Sequence, residues 1–432
     1  MVVAGDGDGW AERVLGEWLL IGAAGALAAG GLTQRQRRFR RLQHLMRSFH
    51  FPTERPHVLI LSASIGGGHN AAAAVLRHDL EALGCRVTVL DGFAFATPLL
   101  SRYFAWAYPV QLRYAPWLYD WQFRSSHRPA WARFWRAVYS ALAAGAFERL
   151  LEEVNPDIVV STYPLVTQAL GSLRLQRRIT VPTVAVITDF GVHRLWTAPG
   201  IDLHLVPSRV SAAQVEDATG MVQVMEPLVR AAFREPMDRR EARERFGFDP
   251  EEFVALVVAG AWGIGRVEAI VRDVAACDVR TVVVCGKNQD LVDRLRREHG
   301  GNARVQILGW TDALPELMAA ADCLVQNAGG LTCLEAIARR LPILIYRPIA
   351  GHGVFNARTM ERAHAARWIR EVGELQQLLR DAASGRIQLA PPRVETGAVP
   401  AARAILSLLV PSMAAESATS SGMQNARHQW SG

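Results

Sequence analysis

The stretch of residues 321–356 contains the pattern of a phosphate-binding turn. An apolar segment, residues 323–325, predicts a short strand, and Gly329 with Gly330 predicts a tight turn before a helix. A glycine turn that leads into a helix N-terminus directs free backbone N–H groups and the positive end of the helix dipole to one point. An ordinary crossover in a parallel sheet has the same pattern, so this stretch alone leaves both interpretations open.

The helix predicted after this turn has start and stop signals. Thr332 and Glu335 have the spacing of a capping box, in which the threonine caps the helix and the glutamate reaches back to it. Arg339 and Arg340 suit the negative end of the helix dipole, and Pro342 precedes a buried strand. We therefore expect a strand, turn, helix and strand in this order.

A second glycine turn lies in the same half of the chain. Gly260, Gly263 and Gly265 follow an apolar strand and precede a helix, so this loop is predicted to face a diphosphate from the side opposite the first turn. Trp310 follows another strand and could lay its ring against a nucleobase, although packing explains it equally well. Two such loops in one half are a stronger indication of a nucleotide than either alone.

The first strand of the other half leads into a third glycine loop. Gly66, Gly67 and Gly68 allow a ligand to approach the backbone closely, and His69 stands at the helix start, where an imidazole could act as a general base. A helix-capping histidine is the simpler alternative. Asp91 lies about 20 residues beyond this loop, the distance at which NAD-dependent oxidoreductases have a ribose-binding acid. The loop does not fit their G-x-G-x-x-G pattern, so the sequence gives little support to an NAD-dependent oxidoreductase.

A polar cluster follows a later strand of the same half. Asp189 and His193 are predicted to lie at the carboxyl end of the sheet, with Trp196 close by. A carboxylate there could serve as the base or orient a histidine, and it could also be an ordinary turn or cap residue.

Alternating strand and helix patterns predict an α/β protein with two Rossmann-like domains facing across a cleft. The first domain spans residues 55–228, the second spans 236–390, and the hinge lies near 227–240. Ligands of such sheets bind beyond the carboxyl ends of the strands, which places a site in the cleft. Residues 391–410 are predicted to form a C-terminal helix and 411–432 a disordered tail.

An aromatic insertion, residues 97–136, separates the second and third predicted strands. It has six arginines and one acidic residue, and five tryptophans that we expect to face a membrane: Trp106, Trp117, Trp121, Trp131 and Trp135. Indole rings and guanidinium groups suit the lipid head-group region, and the same mixture could stack nucleic-acid bases or form a helical core. Membrane contact, with an anionic surface, is the favoured reading.

The N-terminal leader, residues 1–50, favours the same interpretation. Residues 18–32 are apolar and uncharged, which is short for a membrane span, and residues 33–47 carry six arginines and no acid. The leader is an anchor or a disordered segment, and we expect a protein on the cytoplasmic face of the membrane, peripheral or with one N-terminal anchor. The net charge of +7 is concentrated here, so it does not indicate nucleic acid. Five cysteines without metal or disulfide spacing predict no metal site and a reducing compartment.

Three motifs together carry a family resemblance. SASIGGGHNAAA at residues 62–73, TDFGVHRLW at 188–196 and residues 321–357 resemble the monogalactosyldiacylglycerol synthase and processive diacylglycerol glucosyltransferase family, and more distantly the N-acetylglucosaminyltransferase that makes lipid II. The resemblance implies a GT-B fold, a UDP-sugar donor in the C-terminal half and a lipid acceptor in the N-terminal half. It also implies inversion at the anomeric carbon, with no cofactor and no required metal.

The resemblance also implies roles for individual residues. Glu335 looks like the carboxylate that holds the donor ribose, His69 like the histidine near the reaction centre, and Asp189 like the base or its support. Asn356 matches the asparagine that closes the donor loop. The diphosphate loops are implied at Gly329, Gly330 and Thr332, and at Gly260, Gly263 and Gly265.

One segment departs from the family pattern. Where the family reads GQExxN, this chain has Gly351-His352-Gly353-Val354-Phe355-Asn356. His352 is the one polar replacement for the two residues expected near the sugar hydroxyls, so the motif does not identify which sugar the donor carries. The departure supports an alternative function, a non-catalytic GT-B-like protein that binds a nucleotide or lipid at the membrane.

Overall fold

The computed structural model describes residues 55–65 and 67–409. Within them the chain forms two parallel six-stranded sheets with helices on both faces. The predicted leader, its apolar segment 18–32, Gly66 and the tail 411–432 lie outside the described residues. Among the described helices, none is long and apolar enough to cross a membrane.

The N-terminal sheet has the strand order β2-β1-β3-β4-β5-β6. Its strands are β1 His57–Ser62, β2 Arg86–Asp91, β3 Ile158–Ser161, β4 Thr183–Val186, β5 Leu203–Val206 and β6 Met221–Val224. Strands β1, β3, β4 and β5 are buried along their whole length, as expected for parallel strands covered on both faces. The order reverses between β1 and β3, so a crevice opens at the carboxyl ends of these strands.

The helices of this domain include the whole aromatic insertion. They are α1 Gly68–Ala82, α2 Gly92–Ala96, α3 Pro98–Tyr114, α4 Pro116–His127, α5 Pro129–Val154, α6 Pro164–Leu175 and α7 Arg209–Ala212, with a 3₁₀ turn at Arg194–Trp196. Proline opens α3, α4 and α5, where its missing N–H costs nothing. The insertion is therefore a set of consecutive helices between β2 and β3.

The C-terminal sheet has the strand order β12-β11-β10-β7-β8-β9. Its strands are β7 Val254–Val258, β8 Arg280–Val284, β9 Val305–Leu308, β10 Cys323–Gln326, β11 Ile343–Tyr346 and β12 Arg367–Ile369. Its helices are α8 Arg239–Phe246, α9 Val267–Ala275, α10 Gln289–His299, α11 Leu314–Ala320, α12 Gly330–Ala338, α13 His352–Arg362 and α14 Val372–Ala383, and a 3₁₀ turn at Ala231–Phe233 precedes them.

The chain crosses between the domains twice. After α14 it returns to the N-terminal domain, where Val399 pairs with Met225 and helix α15, Ala401–Ser407, packs its alanines and Ile405 into the core behind β1. The predicted C-terminal helix is thus part of the first domain's core. The two crossings lie side by side, because Met225 and Val399 pair where the chain leaves and re-enters the first domain.

The prediction of two Rossmann-like domains is confirmed, and two strands were missed. Strands β6 and β12 are edge strands of four and three residues with partly exposed side chains. Such strands lack the continuous apolar run by which buried parallel strands are recognised.

Candidate functional site

A cavity of about 2500 Å3 lies between the carboxyl ends of the two sheets. Its walls include the glycine loops of both domains, the start of α12, and the helices of the insertion. The strand ends place these loops together because every strand in each sheet runs in the same direction.

Helix α12 begins at Gly330 directly on this cavity. Gly329 is its N-cap, and no side chain caps the helix, so its first N–H groups are left for a ligand. The predicted capping box is therefore wrong: Thr332 lies inside the first turn and Glu335 in the second, too far along to reach the N-cap. The absence of a side-chain cap favours the interpretation that this turn binds phosphate.

The second glycine loop lies beside α12. Gly260, Gly263 and Gly265 all have positive φ angles, of 71°, 60° and 104°, which explains why glycine stands at these positions. Asn327 joins the two loops, since its Nδ2 donates to the Ile264 carbonyl at 2.7 Å. The two predicted diphosphate loops therefore form one continuous surface.

Glu335 is buried and faces this surface. Its carboxylate makes no hydrogen bond or ion pair with any described residue, and burial raises its pKa to about 8, opposed by Arg230. A buried carboxylate without a protein partner suits a ligand that supplies hydroxyl donors. Arg230, in the hinge segment, also lines the cavity and was missed in the sequence, where it carries no motif.

Trp310 is an exposed aromatic wall of the same side. It is 58% exposed, and the Lys287 ammonium lies 5.1 Å from its ring centroid. Because the ring is not packed into the core, the structure favours a ligand-facing position over the packing alternative.

His69 lies across the cavity, in the first turn of α1. Its ring is partly exposed to the cavity and lies 5.2 Å from Tyr163 and 5.7 Å from Trp196, centroid to centroid. No side chain caps α1, so the capping alternative is wrong. Burial lowers the pKa of His69 and the Asp189 charge opposes that shift, which leaves a neutral imidazole able to accept a proton near neutral pH.

Asp189 is held from both domains. Its Oδ2 accepts from Trp196 Nε1 at 3.1 Å, and its Oδ1 accepts from Asn356 Nδ2 at 3.1 Å. Asn356 is buried, and its Oδ1 accepts from Gly191 N at 2.8 Å. The described hydrogen bonds of the Asn356 side chain are all with protein groups, so its amide supports Asp189. Its predicted contact with the donor stays a prediction.

His193 joins the segment after β4 to helix α4 of the insertion. Nδ1 accepts from Leu195 N at 3.2 Å and Nε2 donates to the Phe123 carbonyl at 3.0 Å, which fixes the neutral tautomer. Burial lowers its pKa to about 4. Both nitrogens are used within the protein, so His193 supports helix α4.

The first glycine loop has a structural carboxylate beside it. Asp91 accepts from Ser64 N at 2.9 Å and from Ala94 N at 2.8 Å, as the N-cap of α2. This capping role accounts for the aspartate at the end of β2, so binding of an NAD ribose is not needed to explain it. Gly67 packs against the opposite domain, where an added Cβ would lie 3.0 Å from Ala261 Cβ, and Gly68 begins α1.

The five predicted membrane-facing tryptophans divide into two groups. Trp106, Trp117 and Trp121 are 64%, 69% and 52% exposed. Trp131 and Trp135 are partly buried and line the cavity, because they lie on a face of α5 that points inward. The exposed Trp117 and Trp121 line the mouth of the same cavity, and Trp106 does not. The insertion thus presents rings both to the exterior and to the cleft.

Within residues 55–65 and 67–409, no cluster of histidine, cysteine and acidic side chains has the arrangement of a metal site. The five cysteines are buried and free.

Comparisons with known proteins cover both domains. Residues 69–222 match the family described as monogalactosyldiacylglycerol (MGDG) synthase, and residues 238–361 match the family described as glycosyl transferases group 1. A processive diacylglycerol beta-glucosyltransferase of Bacillus licheniformis is 28% identical over 317 residues, which are 72% of this chain and 82% of the relative. One from Bacillus cereus is 28% identical over 330 residues, 74% of this chain and 84% of the relative.

Solved structures share the architecture. MurG of Acinetobacter baumannii has a TM-score of 0.50 at 16% identity, covering 82% of this chain and 99% of that chain. Os79 of O. sativa has a TM-score of 0.50 at 15% identity, and the match covers 76% of this chain and 91% of the Os79 chain. The predicted GT-B fold is confirmed, as are the resemblance to diacylglycerol glycosyltransferases and the assignment as a glycosyltransferase.

Proposed function

We propose that this GT-B glycosyltransferase is an inverting enzyme that moves a hexose from a UDP-sugar to a diacylglycerol-type lipid at a membrane surface. The observation that carries the proposal is one cavity with two chemically different sides. An uncapped helix N-terminus and the unpaired Glu335 lie on one side, and His69 with Asp189 on the other.

The donor side has the groups that a nucleoside diphosphate requires. The start of α12 and the glycine loop of residues 260–265 offer N–H groups to the two phosphates, and Glu335 accepts from the ribose hydroxyls. We assign the base to Trp310, because its ring is exposed on the cavity wall. UDP is the nucleotide we assign, with no further cofactor.

The acceptor side continues into an apolar groove between α1, α3 and α5. Its walls are largely aliphatic and aromatic: Leu100, Phe104, Trp131, Phe134, Val138 and Leu142. Acyl chains bury favourably in such a groove, at about 0.8 kcal/mol for each CH₂ group. The names of the Bacillus relatives support diacylglycerol as the acceptor class.

The reaction follows from the position of the two sides. The acceptor hydroxyl oxygen attacks the anomeric carbon from the face opposite UDP, while its proton passes to His69. The bond from the anomeric carbon to the UDP oxygen breaks, and its electron pair leaves with the diphosphate. The N–H groups at the start of α12 stabilise that charge, and Asp189 stabilises the imidazolium that forms.

Access to a lipid acceptor requires contact with a bilayer. The exposed Trp106, Trp117 and Trp121 and the exposed arginines of the insertion suit an anionic surface, which supports peripheral binding at the cytoplasmic face. Nucleic acid is not among the proposed partners.

A donor panel tests the proposal. UDP-glucose, UDP-galactose, UDP-N-acetylglucosamine and GDP-mannose are incubated with the protein and diacylglycerol liposomes, and the lipids are analysed by mass spectrometry. We expect one UDP-sugar to give a glycosylated diacylglycerol, and His69→Ala to abolish it. UDP binding without sugar transfer from any donor would instead support the non-catalytic alternative.

A further inference from the structure

The insertion reaches across the cleft to the donor domain. Tyr119, on α4, contacts His352 at the start of α13, with 3.1 Å between the hydroxyl and Nδ1. Next to it, Asp120 Oδ1 accepts a hydrogen bond from Gly351 N at 3.2 Å. Two adjacent residues of the insertion therefore hold two adjacent residues of the donor domain.

The fit between α4 and this loop is close. Gly351 has a φ angle of 69°, and a Cβ there would lie 2.8 Å from Tyr119 Cε1 and 3.0 Å from Phe123 Cβ. Both constraints require glycine at residue 351. The contact is thus part of the packing of the closed cleft, and its polar pair is fixed in position.

The pair stands beside the diphosphate surface. The Tyr108 ring lies between them and the glycine loop, 5.5 Å from Tyr119 and 6.1 Å from both His352 and Trp262, centroid to centroid. Tyr119 and His352 both line the cavity. On the other flank, Asp189 is near enough to oppose the lowering of the pKa of His352 by burial. The pair therefore lines the cavity with the Tyr108 ring on one flank and Asp189 on the other, on the side where the proposed function puts the transferred sugar.

After the hydrogen bond between Tyr119 and His352 is formed, one N–H or O–H donor of the two side chains remains unused. Burial keeps His352 neutral and Tyr119 protonated, since it lowers the pKa of the histidine and raises that of the tyrosine. Either Tyr119 O–H donates to Nδ1, which leaves Nε2–H, or Nδ1–H donates to the tyrosine, which leaves its O–H. Among the described residues, His352 Nε2 has no hydrogen-bond partner. A sugar hydroxyl is the group that would complete this set.

We propose that Tyr119 and His352 form one unit that recognises the hydroxyls of the donor hexose. The inference rests on the proposed function, because it names the sugar subsite of the same cleft. It makes Tyr119 a specificity-determining residue supplied by the acceptor domain. Sugar recognition then requires a closed cleft, so the donor domain by itself cannot select the hexose.

Three variants test this: Tyr119→Phe, His352→Ala and the double substitution, with Tyr114→Phe as control. Tyr114 is an exposed tyrosine of the same insertion that does not line the cavity. Affinities for UDP, UDP-glucose and UDP-galactose are measured by calorimetry without acceptor. We expect unchanged UDP affinity, and preference for one hexose reduced by about tenfold in each single variant, the size of one lost hydrogen bond. The double variant should lose no more than the worse single variant.

Two results would overturn the inference. One is a hexose preference in Tyr119→Phe and His352→Ala equal to that of Tyr114→Phe. The other is an equal loss of UDP and UDP-sugar affinity, which would mean that the pair only supports the loop. Because these measurements need no transfer, they are separate from the donor panel: absent transfer by the wild-type protein counts against the proposed enzyme and leaves this comparison intact.

Discussion

Asn356 of the C-terminal domain donates a hydrogen bond from Nδ2 to Asp189 Oδ1 of the N-terminal domain, at 3.1 Å. Its Oδ1 accepts from Gly191 N, so one buried amide fixes both the carboxylate and the turn that follows it. The carboxylate beside the proposed base is therefore positioned by the domain that we propose to bind the donor. In the proposed mechanism, closure of the cleft would also assemble the catalytic groups.

Removal of this amide should reduce turnover more than donor binding. We expect Asn356→Ala to lower kcat by about tenfold or more and to destabilise the fold by about 1–3 kcal/mol, since Asp189 and Gly191 each lose a buried partner. Asn356→Asp should be worse, because it sets a second carboxylate against Asp189. Steady-state kinetics and thermal unfolding measure both effects. A kcat for Asn356→Ala equal to that of wild type would contradict this role.

Substitution of Glu335 should separate stability from ligand binding. Its raised pKa means that the folded protein keeps a proton that the unfolded chain releases between about pH 4.5 and 8, so stability falls as pH rises through that range. We expect Glu335→Gln to be more stable than wild type above about pH 8 and to bind UDP at least tenfold more weakly. Glu371→Gln, at an exposed position, is the control. Unchanged nucleotide affinity would remove Glu335 from the donor site.

The pH dependence of transfer should report His69. The base must be neutral, and burial lowers its pKa below 6.5, so kcat at saturating donor should fall as pH decreases through the lowered pKa. Asp189→Asn removes a charge that raises this pKa. We expect the acid limb to move to lower pH while the plateau rate falls, because the imidazolium is less stabilised. An acid limb that stays in place would mean that His69 is not the titrating base.

The exposed tryptophans of the insertion should carry membrane binding. Trp117→Ala with Trp121→Ala removes two exposed rings, and we expect flotation with anionic vesicles to drop several-fold. Trp310→Ala removes a ring of similar exposure on the donor side and should bind vesicles as wild type does. Equal flotation of all three proteins would assign membrane contact to another part of the chain.

A single methyl group should interfere with closure of the cleft. A Cβ at Gly330 would lie 2.7 Å from the Thr188 carbonyl oxygen of the other domain, a backbone atom that cannot move aside. We expect Gly330→Ala to lower kcat/KM by at least tenfold. Gly373→Ala is the matched control, because it adds the same methyl near a helix start with no atom within 4 Å. Similar kinetics for the two variants would show that the domains need not approach this closely.

Local patterns along the chain were enough to predict most of the strands and turns. Ten of the twelve described strands and the glycine loops were readable because parallel strands have apolar runs and tight turns need glycine. The resemblance carried by three motifs predicted the fold, which is confirmed, and the side of each substrate, which stays a prediction. The edge strands β6 and β12 were missed because half-exposed strands of three or four residues carry no such run.

Contacts between residues far apart in the chain became known only from the folded arrangement of the two domains. The bond from Asn356 to Asp189 spans 167 positions and that from Tyr119 to His352 spans 233, and both join different domains. No periodicity or spacing encodes such a contact, because it depends on how two sheets sit across a cleft. The same holds for Thr332 and Glu335, whose spacing fits a capping box. The helix begins at Gly330 instead, so its N-terminus stays open and Glu335 faces the cavity without a partner.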